Sequence, residues 1–470
     1  MTLCVDVVII GAGPAGMSAA NMIHEYGGRA VVLDEQSEPG GQIYKSIDRV
    51  GRDRPNELSW LGSTYQDGVR LTKKFRSQAK DYQPGSMVWH IECRNSDGFY
   101  NVFYSRAGAS KKIKTKYIII ATGAMERPVP IPGWTLPGVM TVGAVQSILK
   151  SSGMYPSGKL ALAGAGPLML QLASQLIAAG VSISAILDTC PKGSIFKALR
   201  HFPRALFAGD YLYKGWKLTN EIKYSSIKIY RNVTDLNALG DCRLQNLSFK
   251  VNETRHCLDV DTLALHEGIF PNVQLTRLLD LKHVWSTRQR SFSPVVNSWG
   301  ETSLSGVFVV GDGAGVSGAK TAEYSGVIAG MMILERLEYI QESQRDLIVV
   351  DRKFRRLLDE GIRPFLDTLF PAPERIGEVP DKTIICRCEE ITAGQIREVV
   401  KKGCPGPNQA KAFLRCGMGA CQGRMCGASV TEVMSEALGK KPADVGAFRV
   451  RPPIKPLSLE EIVTLNDGQG

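Results

Sequence analysis

The chain has 470 residues, 44% of them hydrophobic and 22% charged, and a formal net charge of +11. That length implies two to four domains, and the lack of any eighteen-residue apolar run argues against a membrane span. Basic residues are scattered, as in 71–80, 111–116 and 351–360, without the interleaved aromatics of nucleic-acid readout, so they read as solvated faces and docking to an acidic partner.

The first six residues run straight into the apolar stretch "VVII", which leaves no room for a signal peptide. A cytoplasmic address with reduced thiols is the expectation. "DVVIIGAGPAGMSAANMIHEYGGRAVVLDEQ" (6–36) reads as strand, glycine turn, helix and second strand. Gly11, Gly13 and Gly16 form G-x-G-x-x-G, with Pro14 and Ala15 at the start of a helix that ends near Gly27 and Gly28. The second apolar run ends at Asp34, with Glu35 beside it, at the distance expected of a ribose-binding acid. The glycines permit a tight turn, a pyrophosphate close to the backbone, and close helix–strand packing. The helix N-terminus offers N–H groups and partial positive charge to the phosphates.

Three later pieces extend this site. "PGGQIY" (39–44) supplies a second glycine turn with Gly41 and Gln42, and "YIIIATGA" (117–124) is a buried strand ending in Ala121, Thr122 and Gly123. "LSGVFVVGDGAGVSGAKTAEYSGVIAG" (304–330) is a strand, a turn with Gly311 and Asp312, and a helix opened by Ala319. Together they resemble the glutathione-reductase-like superfamily of flavoproteins with two dinucleotide domains. That resemblance implies FAD, with Thr122 and Gly123 against it and Asp312 on its ribityl chain. A helix N-terminus at Ala319 facing the flavin would stabilise the charge of its reduced form.

A second strand–turn–helix unit, 158–188, has Gly164 and Gly166 but Met169 at the third glycine position. A side chain there is expected to push helix from strand and crowd the phosphate path. NAD(P) binding is therefore doubtful, and a vestigial domain or a site for another adenine nucleotide are the alternatives. No two of the five early cysteines (Cys4, Cys93, Cys190, Cys242, Cys257) are close in sequence, which disfavours disulfide reduction. The three-proline stretch 370–382 reads as a linker.

The other six cysteines fall within 386–426, and all six histidines lie at or before His283, so a metal here must be bound by sulfur alone. Thr392 and Gln395 fit a capping box opening a helix, and two more helical stretches follow. The C-x-C and C-x₄-C pairs lack the knuckle spacing of structural zinc, whereas thiolates suit iron–sulfur clusters. The pattern resembles the bacterioferritin-associated-ferredoxin type of [2Fe–2S] domain, whose second pair is usually C-x₂-C. The expected ligands are Cys386, Cys388, Cys421 and Cys426; Cys416 competes, and Cys404 is a more distant candidate.

"LDEQSEPGGQIY", "ATGAMERPVPIPGWTLPGV", "HEGIFPNVQLTRLL", "CRCEEITAGQIREVV" and "GPNQAKAFLRCGMGACQGRMCG" resemble one bacterial group. It comprises the larger flavin and iron–sulfur subunits of opine oxidases, hydrogen cyanide synthase, and dye-linked proline and hydroxyproline dehydrogenases. The resemblance implies a hetero-oligomer in which a D-amino-acid-oxidase-like flavoprotein subunit oxidises the C–N bond of an amino acid, imino acid or opine. The present chain would receive the electrons, and FMN at the subunit interface is a further implication. No residue stands in a motif that marks it as a catalytic base.

The fold expected is α/β, with two Rossmann-type dinucleotide domains and a small helical domain. The FAD domain would comprise 1–125 and 256–340, the NAD(P)-binding-like domain 126–255, a linker 341–382, the cysteine domain 383–440 and a tail 441–470.

Overall fold

A computed structural model describes residues 3–94 and 97–465. The strand Leu3–Ile10 lies at the centre of a seven-stranded sheet, parallel to Ala30–Asp34 on one side and Ala109–Ile120 on the other. Val7 to Ile10 are all buried, since both faces of the sheet are covered and alternation gives way to a continuous apolar run. The helices Pro14–Glu25 and Ala319–Arg336 pack on one face. Their approach depends on Gly326, where a Cβ would lie 2.1 Å from the Ala15 carbonyl oxygen. The late strand Val307–Val309 pairs with Ala109–Ile120, so the chain returns to its first unit after a long excursion.

That excursion forms a five-stranded parallel sheet, in the order Lys228–Arg231, Ile183–Asp188, Leu160–Gly164, Thr262–His266 and Val139–Thr141. An antiparallel meander, Val233–Leu239, Asn246–Val251 and Thr254–Asp259, packs against it. The second unit therefore extends through His266, and the expected crossing at residue 256 is corrected. The strands beyond 256 are its own, and the return runs through Ile269–Pro271, paired with Ala124–Glu126.

The expected linker 341–382 is also corrected. It contains the nineteen-residue helix Glu342–Glu360, packed on Ala319–Arg336, and the helix Arg363–Leu369. Charged residues spaced three and four apart stabilise the long helix, as in Arg355 with Asp351 and Arg356 with Glu360.

The cysteine module is mainly helical, with a short hairpin, Ile384–Cys386 with Ile391–Thr392. The Thr392–Gln395 capping box is formed as the sequence predicts. The C-terminal segment is tied down: Phe448 packs in the module core, Ile454 N–H donates to the Trp89 carbonyl, and Thr464 Oγ1 accepts from the Ser110 N–H. The last five residues of the expected tail lie outside the described residues.

Candidate functional site

A cavity of about 830 Å³ runs between the two dinucleotide units. Gly11, Gly13, Pro14, Ala15, Asp34, Glu35, Gly41, Gln42, Ala121, Thr122, Gly123, Gly311, Asp312 and Ala319 all line it. Gly16 stands behind the wall, where a Cβ would lie 1.9 Å from the Gly11 carbonyl oxygen, so its role is helix–strand packing. Gly11 has φ +106° and faces the Ala121 carbonyl, a conformation and a clearance that suit glycine.

The buried Asp34 carboxylate accepts the Ala12 and Gln36 N–H groups, each at 2.9 Å. Burial outweighs these two donors and raises its pKa to about 6. Glu35 pairs with Lys455 of the C-terminal segment at 2.7 Å. Asp312 Oδ1 accepts the Ser317 and Gly318 N–H groups at 2.8 and 3.0 Å, which fixes the turn into the Ala319–Arg336 helix. The Thr122 hydroxyl donates to the Asn272 carbonyl at 3.3 Å. A narrow glycine cradle with an acid at the end of the second strand fits a dinucleotide lying across the strand ends.

Three titratable side chains in this cavity are not among the site residues expected from the sequence. His266 Nδ1 lies 2.6 Å from Glu126 Oε1, and Glu126 Oε2 accepts the Gly143 N–H. The His266 ring lies against Gly166, where a Cβ would be 3.1 Å from it, so imidazole borders the second glycine turn. Met169 is buried in the apolar layer beneath that turn's helix. Lys150 is 2% exposed and donates to the carbonyls of Gln42 and Ile43 and to Gln146. Burial lowers its pKa to about 7. Only chain topology brings these residues to the cavity, although the apolar neighbours of Lys150 in "SILKSS" hint at its burial.

The cysteine turn abuts the same cavity. Arg424 lines the cavity, and its Nε donates to the Cys421 carbonyl at 3.1 Å. Gln274, in the wall, donates to the Gln422 carbonyl at 2.9 Å. Behind them Arg290 forms a bidentate pair with the buried Glu432, and Trp134 Nε1 donates to the Ile384 carbonyl.

Within the module, the Sγ atoms of Cys386, Cys416 and Cys426 lie within 4.8 Å of one another, all buried. The thiols of Cys416 and Cys426 donate toward Cys386 and hold its pKa far below the usual thiol range. Cys388 faces Cys421, whose N–H and thiol both approach it. Gly419 permits this, since a Cβ there would lie 2.3 Å from the Cys388 Cβ. Cys416, the competing candidate, points into the same pocket, following Arg415 in a left-handed conformation. Cys404 is outside the trio, with its thiol on the Gly406 carbonyl. Three mutually close thiols beside a second, Cys388–Cys421 pair, with no histidine in the sequence after His283, fit a thiolate-bound iron site.

Two dinucleotide units with an appended thiol module define an oxidoreductase of the two-domain flavoprotein type. Residues 5–326 match the family described as "Pyridine nucleotide-disulphide oxidoreductase", and residues 380–464 match "Sarcosine oxidase A3 domain". The chain belongs to the pyridine nucleotide-disulphide oxidoreductase family, in the group of opine oxidase A subunits and the HcnB subunits of hydrogen cyanide synthase. It is 40% identical to the opine oxidase A subunit of Agrobacterium tumefaciens (strain Ach5), over 98% of this chain and 92% of that one. It is 31% identical to HcnB of Pseudomonas aeruginosa, over 97% and 98%. Among solved structures, L-proline dehydrogenase from P. horikoshii aligns with a TM-score of 0.71 at 18% identity, covering 98% of this chain and 80% of that one. No helix among the described residues is long and apolar enough to cross a membrane.

Proposed function

We propose that this chain is the electron-transferring subunit of a hetero-oligomeric dehydrogenase for amino acids or opines, proline and hydroxyproline included. FAD lies along the Gly11–Gly16 turn, Asp34 and the start of the Ala319–Arg336 helix. A [2Fe–2S] cluster is held by Cys386, Cys388, Cys421 and Cys426. The substrate's C–N bond is oxidised on a D-amino-acid-oxidase-like partner subunit.

The observation that carries this reading is the shared wall between the dinucleotide cavity and the cysteine turn, made by Arg424 on the Cys421 carbonyl. When bound, a flavin exchanges electron pairs and an iron–sulfur cluster moves single electrons. The chain's own residues prepare both sites. Asp34 accepts ribose hydroxyls, the helix N-terminus at Ala319 offsets negative charge, and the Arg290–Glu432 pair holds the module in place. The relatives support a subunit role, being named as subunits of opine oxidase and hydrogen cyanide synthase.

A stand-alone NAD(P)H reductase is the second reading, favoured by the Gly166 turn in the cavity wall. The His266 ring beside that turn narrows the space a pyrophosphate needs. Anaerobic addition of NADH to the purified chain separates the two. Rapid bleaching of the flavin band sinks the subunit reading. Bleaching by an opine or imino acid only in the presence of the partner supports it.

A further inference from the structure

Two neighbouring stretches turn large apolar side chains outward. On the Glu342–Glu360 helix, Leu347, Val350, Phe354 and Leu357 recur at steps of three, four and three, and the first is 82% exposed. Arg345 and Val349 on the other side are buried. A surface helix ordinarily does the reverse and turns its apolar stripe to the core. The segment 194–224 behaves alike, with Phe196 77%, Phe207 71% and Trp216 62% exposed, and Ile195, Leu206 and Tyr213 among them.

These stretches adjoin. The turn Leu206–Ala208 packs on the long helix, and the helix Arg363–Leu369 packs on Ser194–Leu199, with the Phe365 and Phe202 rings 6.0 Å apart. Single exposed apolar residues are ordinary on a protein surface; a continuous field of this size marks a binding face.

Its charge differs between the two stretches: the long helix exposes Glu342, Asp346 and Asp351 beside Arg355, whereas residues 192–224 carry a basic excess. Lys192, Lys197, Arg200, Arg204, Lys217 and Lys223 are exposed along the segment, against Asp210 and Glu221. Asp210 is engaged by Lys320, and Glu221 by Lys217 and Ser174. The face also adjoins the functional site. Arg363, Leu366 and Asp367 line the dinucleotide cavity, and a second cavity of about 440 Å³ reaches from the turn before Ala319 to Arg204 and Arg356.

We infer that this face receives the substrate-oxidising partner subunit, through an apolar centre that takes a helix of the partner and a basic margin that takes an acidic rim. The inference rests on the function proposed above and adds where the second chain sits. Side chains at steps of three and four suit insertion between those of a facing helix. Opposite charges around the margin steer and orient the encounter. A partner seated here stands beside the wall of the dinucleotide cavity, where electrons must enter.

The test uses the complex purified through a tag on this chain. The variants are the pair V350E with F354E, the pair F196E with F207E, and the control pair L459E with I462E on an exposed helix elsewhere. Light scattering after size exclusion reads the mass, and bound-flavin absorbance with a melting curve reads the fold. The expected result is loss of the second chain from the first two variants, with at least a tenfold rise in Kd, unchanged flavin content, and a control that behaves as wild type. If an apolar variant fails to fold, the charge reversals K197E and R204E replace it, with weaker and more salt-sensitive partner binding expected. Wild-type affinity in all face variants overturns the inference and leaves the proposed function standing. A wild-type chain that binds no partner and is reduced by NADH unaided overturns the proposed function itself. Loss of self-association, or of sedimentation with phosphatidylcholine–phosphatidylglycerol vesicles, in variants that keep the partner assigns the face to another copy or to lipid and overturns the inference.

Discussion

Glu126 and His266 meet at the seam of the two dinucleotide units, Oε1 to Nδ1 at 2.6 Å, from strands that the sequence separates by 140 residues. The contact joins the Ala124–Glu126 strand to the end of Thr262–His266, so it orients the imidazole and fastens the return crossing together.

Glu126→Ala leaves the His266 nitrogen and the Gly143 N–H without their shared acceptor. Both contacts are part-buried at the cavity wall, where water can replace the lost acceptor, so each costs roughly 1 kcal/mol and the melting temperature should drop by about a degree or two. Glu126→Gln keeps one acceptor oxygen and should recover part of the loss. Thermal unfolding of the two variants checks this, and equal melting temperatures would exclude a bonding role.

Asp34 gives a pH signature. Its folded pKa of about 6 lies above the ordinary 3.8, because burial dominates. Between those values the folded chain holds a proton that the unfolded chain releases. The group's stabilisation is therefore full below pH 3.8 and is lost as pH rises through 6, at most about 3 kcal/mol. Protein stripped of nucleotide should show this slope in denaturant titrations, and Asp34→Asn should remove it. Added FAD should flatten the slope in the parent, since ribose hydroxyls donate to the charged form.

The thiols can be told apart by single replacements. Cys386→Ser and Cys426→Ser should abolish the visible absorption of the cluster, and Cys388→Ser and Cys421→Ser should do the same. Cys416→Ser should retain it, and Cys404→Ser should leave both colour and iron content unchanged. Loss of colour in Cys416→Ser, with retention in one of the other four, would exchange that residue for Cys416 in the ligand set.

Glu432→Ala strands Arg290 at the module boundary. Arg290 is partly exposed and can recruit water, so the cost is roughly 2–3 kcal/mol, below that of a fully buried pair. Limited proteolysis within 370–382 should speed up in the variant. Glu432→Gln should fall between it and the parent.

Much of the fold and site is legible in residue order. A glycine turn between two buried strands ending in an acid is local chemistry, and backbone geometry alone requires Gly11 to lack a side chain. The Thr392 capping box is local in the same way. The segment 341–382 reads as a linker because of its prolines and charges, whereas its helix is stabilised by packing on Ala319–Arg336 and by ion pairs. Cys416 stays an open candidate in the sequence because spacing along a chain does not give the direction of a thiol after a left-handed turn at Arg415.

The sequence by itself determined the glycine cradle, the Asp34 carboxylate, the two-unit class and the sulfur-only character of the C-terminal site, since each is read from short contiguous motifs or from residue placement along the chain, without knowing how those motifs stack. Tertiary structure alone decided that Glu126, Lys150 and His266 share the dinucleotide cavity, that Arg424 joins this cavity to the cysteine turn, and that Cys386, Cys416 and Cys426 meet while Cys388 faces Cys421. Those meetings depend on how sheets and helices stack, and a contact spanning 140 residues leaves no periodic trace in the order of amino acids.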